Sequence, residues 1–93
     1  SISRDITIIV RKHVAAAMIL AEVEKIAQKE KLIESVSLFD VFEGGSLAED
    51  KKSMSIRVVY RAENKTLTDK NIQKLHTKVS KALLEGFSAD LPE

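Results

Sequence analysis

The residues of this chain that could do chemistry fall in three short stretches. Asp40 and Phe42 lie two apart within residues 35–45. Ser53, Ser55, Arg57 and Arg61 recur in alternation within residues 51–61, and Thr7 and Arg11 alternate within residues 5–11. A carboxylate accepts hydrogen bonds from a base edge, a ring stacks on a base, hydroxyls bond base or ribose, and arginines stack or meet phosphates. Together these side chains suit an unstacked base and its phosphates. An ordinary solvated sheet face contains the same residue types, so the elements that place them decide between the two readings.

Catalytic constellations are missing. His13 and His76 have no partner at metal-ligand spacing, and there is no HExxH-like pattern. His76 falls beside an apolar helix stripe and reads as a packed or boundary histidine rather than a ligand. Gly44-Gly45-Ser46 matches neither a phosphate-binding loop nor a nucleophile elbow and reads as a loop. Glu49-Asp50-Lys51-Lys52 is a mixed, solvated charge run. Lys70, Lys74, Lys78 and Lys81 make a basic stripe on one helix face. Such a stripe can follow a phosphate backbone, but on a surface helix it more often only solubilises. The pattern is that of a binding module rather than a catalyst.

Two alternating segments organise the chain, at residues 32–42 and 53–62, joined by a loop containing Gly44 and Gly45. In the second, Met54, Ile56, Val58, Tyr60 and Ala62 are apolar, while Ser53, Ser55, Arg57 and Arg61 are polar. That is one buried and one wet face, as in an antiparallel strand. Residues 5–10 form an earlier strand, with Ile6, Ile8 and Val10 on one side. A helix is expected over residues 14–29, with Ile19, Val23 and Ile26 as its core stripe. Met18 and Leu20 widen that stripe, either as broad core contact or as contact to a neighbouring domain. After a turn at residues 62–65, Thr68 caps a second helix, Leu67 and Ile72 form a hydrophobic staple, and Gly86 serves as the residue just past the helix end. Residues 87–91 allow one short closing strand.

The order β-α-β-β-α-β is most economically packed as a ferredoxin-like α+β fold. It would be a four-stranded antiparallel sheet with two helices on one face. The buried sheet face is then expected to hold Ile6, Ile8, Val10, Phe39, Val41, Met54, Ile56, Val58 and Tyr60. The free face would hold Thr7, Ile9, Arg11, Leu38, Asp40, Phe42, Ser53, Ser55, Arg57 and Arg61.

Size and composition agree with this frame. Ninety-three residues make one domain, 1–93, and 44% of them are hydrophobic. Fifteen basic and 14 acidic residues leave a net charge of +1, which argues against a globally basic nucleic-acid protein and leaves room for local patches. The absence of cysteine excludes disulfides, thiolate zinc sites and thiol catalysis, and is compatible with a reducing cytosol. The longest apolar run, residues 14–21, is too short to span a bilayer. The chain opens on Ser1, almost directly on a strand, and is expected to be a domain cut from a longer protein or a processed one.

Several segments then carry a family resemblance. They are Arg4-Asp5-Ile6, Leu38-Phe39-Asp40-Val41-Phe42-Glu43-Gly44, Lys51-Lys52-Ser53-Met54-Ser55, Thr66-Leu67-Thr68-Asp69, His76 and Gly86-Phe87. At these separations the chain resembles, over essentially its whole length, the ferredoxin-fold anticodon-binding domain that closes the beta chain of bacterial phenylalanyl-tRNA synthetase. The resemblance implies a grip on the anticodon of phenylalanine tRNA within a cytoplasmic ligase that uses ATP and magnesium. This domain itself would hold no cofactor. Partners would be the rest of the beta chain and a catalytic alpha subunit in an (αβ)2 assembly, with no membrane.

By the same resemblance, the family's aspartate falls on Asp40, its aromatic on Phe42, its serine on Ser53 and its small residue on Thr7. Arg11, Arg57 and Arg61 join them as RNA-binding candidates by position alone. Phe42 stands where tyrosine is frequent, which removes a hydroxyl but keeps the stacking surface. Ala48 and Asp50 replace the usual proline and glycine of the loop, and Ala15 stands where a helix-opening proline is common. Ala89-Asp90-Leu91-Pro92-Glu93 lacks the family's late arginine. The rival reading is a ferredoxin-like protein-interaction or regulatory module using exposed Met18, Leu20 and Leu38.

Overall fold

The alternation of β-branched and polar residues produces three ten-residue strands: β1 (Ile2–Arg11), β2 (Ile33–Phe42) and β3 (Lys51–Tyr60). Two helices, α1 (Ala16–Lys29) and α2 (Asp69–Gly86), connect and follow them. These elements come from a computed structural model that describes residues 2–61 and 68–92. The expected turn at residues 62–65, the end of the third strand at Ala62, and Leu67 of the expected staple lie outside the described residues. None of the described helices is long and apolar enough to cross a membrane.

β3 is the middle strand and pairs antiparallel with β1 on one side and β2 on the other. Its apolar face is sealed, with Met54, Ile56, Val58 and Tyr60 at most 1% exposed. Ile6, Ile8 and Val10 of β1 join it from one flank and Ile33 of β2 from the other. Ile19 and Val23 of α1, with Ile72, Leu75, Val79 and Leu83 of α2, complete the core. Thr68 caps α2 as its sequence suggests, accepting a hydrogen bond from the Asn71 backbone N–H at 3.1 Å.

The structure departs from the sequence expectation in three places. First, β2 does not alternate throughout. Leu38 pairs with Ile56 but Asp40 pairs with Ser55, so Phe39 is an extra residue. A second irregularity leaves Glu34 extra between Ile33 and Ser35. Such bulges reset which face a strand presents. Leu38, expected on the free face, therefore packs against the core with Val36. Phe39, expected in the core, is 50% exposed. Val41 keeps the helix-side parity, opposite Met54, yet stands on the outer strand 45% exposed.

Second, among the described residues the sheet has three strands and not four. The closing segment makes one bridge, with Ile9 N–H to the Asp90 carbonyl at 2.8 Å and Asp90 N–H to the Ile9 carbonyl at 2.9 Å. Continuing that antiparallel register would set Pro92 opposite Thr7. Proline has no N–H to give, so the ladder stops after one rung.

Third, Gly86 is the last residue of α2 rather than the one past its end. The left-handed conformation falls on Ser88, at φ 51°. Ala89 N–H then reaches the Leu84 carbonyl at 3.0 Å, a Schellman closure that buries Ala89.

A polar link crosses from the middle strand to α2. The Tyr60 hydroxyl lies 2.8 Å from His76 Nδ1, and the rings meet edge to face. Burial pushes the Tyr60 phenol up to about 12. Burial also pushes His76 below its ordinary value of 6.5, against the opposing effect of the Asp5 backbone.

Two outcomes are expected. Leu38→Ala should cost about 1–2 kcal/mol in denaturant unfolding, whereas Phe39→Ala should change stability by less than about 1 kcal/mol. The reverse order would mean the bulge is misplaced. Because the folded His76 resists protonation, the unfolded chain binds a proton first, and stability should fall as pH drops below about 6.5. That decline should flatten in a Tyr60→Phe/His76→Leu double variant followed by the same denaturation series.

Candidate nucleic-acid interface

On the face opposite the helices, register sets side chains in rungs across the sheet. Thr7, Ser55 and Asp40 form one rung, and Ile9, Ser53 and Phe42 form the next. Cross-strand neighbours on one face lie about 5 Å apart, and successive rungs about 7 Å apart. Thr7, Asp40, Phe42 and Ser53 thus share a patch roughly 10 Å across. They come from three strands separated by up to 46 residues.

The groups in the patch differ in readiness. Phe42 is 50% exposed and its ring lies open to solvent. Gly45, at φ 59°, passes close behind that ring, and a Cβ there would lie 3.3 Å from two ring carbons. Glycine therefore serves the turn and the ring together. Asp40 is exposed, and among the described residues no lysine, arginine or histidine pairs with it. Its carboxylate is thus available to accept hydrogen bonds. Thr7 and Ser55 share a hydrogen bond at 2.8 Å, which uses one hydroxyl proton and leaves the other.

The three arginines separate. Arg57 occupies the rung beyond Thr7–Ser55–Asp40, opposite Asp5 and Ser37. Its Nε and Nη2 donate to the two Asp5 carboxylate oxygens at 2.8 and 3.2 Å, and its Cζ stands 4.8 Å from the Phe39 ring centre. The hydrogen bond from Arg57 holds the Asp5 carboxyl below its ordinary value. Arg11 closes β1 one rung beyond Ile9 and borders a 320 Å³ cleft with His13, Met18 and Phe87. Arg61 lies at the opposite end of the sheet, about 26 Å along the chain direction from Ser53. There it pairs with Glu34 at 3.6 Å. Arg61 is therefore not part of the patch.

Asp5 and Phe39 were not singled out as site residues by the sequence reading. Alternation put Ser55 on this face, but its link to Thr7 depends on register. Beside the patch a 680 Å³ groove opens between Ile9, the loop at Ser46, Leu47 and Ala48, Lys51, and the tail at Asp90, Leu91 and Pro92. Two turns shape that loop, with Leu47 N–H to the Gly44 carbonyl at 3.1 Å and Lys51 N–H to the Ala48 carbonyl at 3.0 Å. Among the described residues no group of three or more His, Asp or Glu is arranged to hold a metal ion.

The family model of the ferredoxin-fold anticodon binding domain matches residues 1–92. The chain belongs to that family. Similar curated proteins include the phenylalanine–tRNA ligase beta subunit of Desulfotalea psychrophila, 38% identical over 94% of this chain. That of Clostridium acetobutylicum is 37% identical over 98%, and that of Syntrophotalea carbinolica 48% identical over 66%. The chain spans about a tenth of the length of these relatives, between 8% and 11%. For an anticodon-binding fold, the helix-free face with its open ring and unpaired carboxylate is the surface where sequence pattern and geometry coincide.

Gly45→Ala and Gly44→Ala should each lower stability by about 1–2 kcal/mol, because both positions hold positive φ. NMR of the Phe42 ring protons should separate them. Gly45→Ala should shift those signals, whereas Gly44→Ala, whose Cβ meets open space, should leave them in place.

Proposed function

We propose that this chain is the anticodon-binding domain of a phenylalanine–tRNA ligase beta subunit, and that it holds the anticodon of phenylalanine tRNA on its helix-free sheet face. The observation that carries the reading is the family match over residues 1–92 together with the meeting of Thr7, Asp40, Phe42 and Ser53 on two adjacent rungs.

Each residue has a part that its chemistry allows. Phe42 stacks on an unpaired base, a contact worth about 1–3 kcal/mol. Asp40, being acceptor-only, takes hydrogen bonds from the N–H groups of a guanine edge. Ser53 and Thr7 complete bonds to base or ribose, with Ser55 orienting the Thr7 hydroxyl. Arg11 is positioned for a phosphate leaving the patch. Arg57 stands next to the Asp40 rung. Arg61 would meet RNA only if the strand ran the full length of the sheet.

Catalysis, with its ATP and magnesium, belongs to other parts of the parent ligase in this reading. The alpha subunit and the remainder of the beta chain are its partners in an (αβ)2 assembly in the cytoplasm. The rival reading, a protein-interaction module on Met18, Leu20 and Leu38, loses two of its three residues. Leu20 and Leu38 pack against the core, and Met18 alone is exposed, at 54%.

An NMR titration with a phenylalanine-tRNA anticodon stem-loop, beside one with a changed anticodon, tests the proposal. Shifts should centre on Thr7, Asp40, Phe42 and Ser53 and weaken with the altered loop. Phe42→Leu should weaken binding roughly five- to 150-fold. Equal shifts for both loops, confined to Lys70, Lys74, Lys78 and Lys81, would sink it.

A further inference from the structure

The Arg57 cluster has a geometry that a simple surface ion pair does not need. Asp5 takes two donors of the guanidinium from the neighbouring strand, side by side. Phe39 lies under the same guanidinium, with Cζ 4.8 Å from the ring centre. The bulge in β2 lets Phe39 share this face with its neighbour Asp40. The Arg57 side chain is nonetheless 48% exposed, so the carboxylate and the ring that hold it leave part of the guanidinium accessible. A guanidinium held this way is planar and already ordered, and its charge is largely compensated by Asp5.

We propose that Arg57, held flat by Asp5 and Phe39, is a second stacking platform for an unpaired nucleobase, two rungs along the sheet from Phe42. This rests on the single-stranded RNA reading of the same face. The two platforms lie about 13 Å apart along β3, with Asp40 on the rung between them. The arrangement is a row of three base positions: ring, carboxylate, ring-backed guanidinium. Asp5 and Phe39 are positioning residues here. Neither touches RNA; each fixes the plane of Arg57. A compensated guanidinium draws little on phosphate attraction, so its contribution depends on stacking and not on counterion release.

Salt dependence separates stacking from a phosphate contact. Binding of a fluorescently labelled phenylalanine-tRNA anticodon stem-loop to the 93-residue chain is measured by anisotropy over a series of salt concentrations, with circular dichroism confirming the fold of each variant. Arg57→Lys keeps the charge and loses the plane, and should weaken binding at least about fivefold at every salt concentration. Arg57→Gln should weaken it similarly and leave the slope of log affinity against log salt unchanged. Phe39→Leu should weaken binding in the same direction. Asp5→Asn should weaken binding at high salt and steepen the slope, because it frees the cation. Wild-type affinity in Arg57→Lys, or a slope shallower by about 0.7 in Arg57→Gln, would make Arg57 a phosphate contact and overturn the proposal. A wild-type chain that does not bind the stem-loop at any salt concentration would overturn the RNA reading itself, and the platform with it.

Discussion

Everything in this fold depends on the burial of one face of β3. Met54, Ile56, Val58 and Tyr60 are sealed, and they belong to the strand that pairs on both sides. At about 1.5–3 kcal/mol for each large side chain, they contribute on the order of 6–12 kcal/mol before entropy is counted. That is comparable with the whole net stability of a small domain. Because a strand alternates strictly, sealing these four forces Ser53, Ser55 and Arg57 to the opposite side. The wet face is therefore a consequence of the core. Its residues can vary toward binding without disturbing what holds the chain together.

β2 adapts to β3 at a local cost. Its core-side residues are Ile33, Val36, Leu38 and Val41, spaced three, two and three apart. A regular strand cannot put all of them on one side. Two extra residues, Glu34 and Phe39, correct the parity. The second correction has a chemical result, since Phe39 and Asp40 then stand on the helix-free side as consecutive residues. With Asp40 kept on this side, a regular β2 would turn Phe39 into the core, Arg57 would lose its ring, and the patch would end at Asp40.

The edges of the sheet show how backbone chemistry sets the limits of the site. The tail reaches β1 at Ile9 and leaves it again because Pro92 has no proton to donate. The single bridge still suffices to bring Asp90 and Leu91 beside Ile9, making one wall of the groove. At the other side of the core, half-buried His76 gives the buried Tyr60 hydroxyl a hydrogen-bond partner. The site itself carries no buried ionisable group. Its chemistry is that of exposed Asp40 and Phe42 beside partly covered hydroxyls, all held by the sheet.

The sequence alone determined much of this protein. Period-two alternation in residues 5–10 and 53–60, the helical stripes of Ile19 and Val23 and of Ile72, Leu75, Val79 and Leu83, and the Thr68 cap are local rules acting on local residues. They sufficed for the order of elements as far as α2, for the buried face of β1 and β3, and for Thr7, Asp40, Phe42 and Ser53 on the free face. The resemblance to anticodon-binding domains was legible in the same segments. Tertiary structure decided what local rules cannot. The three-residue steps along β2 were visible in the sequence, but only pairing against β3 turns them into bulges that exchange Leu38 and Phe39. The Asp5–Arg57 and Thr7–Ser55 links join residues 52 and 48 apart, and depend on a register no local window contains. Arg61, alike in sequence to Arg57, falls at the far end of the sheet. Long-range register converts equal-looking residues into unequal positions, because the hydrogen-bond ladder assigns each side chain its neighbours only after the strands have met.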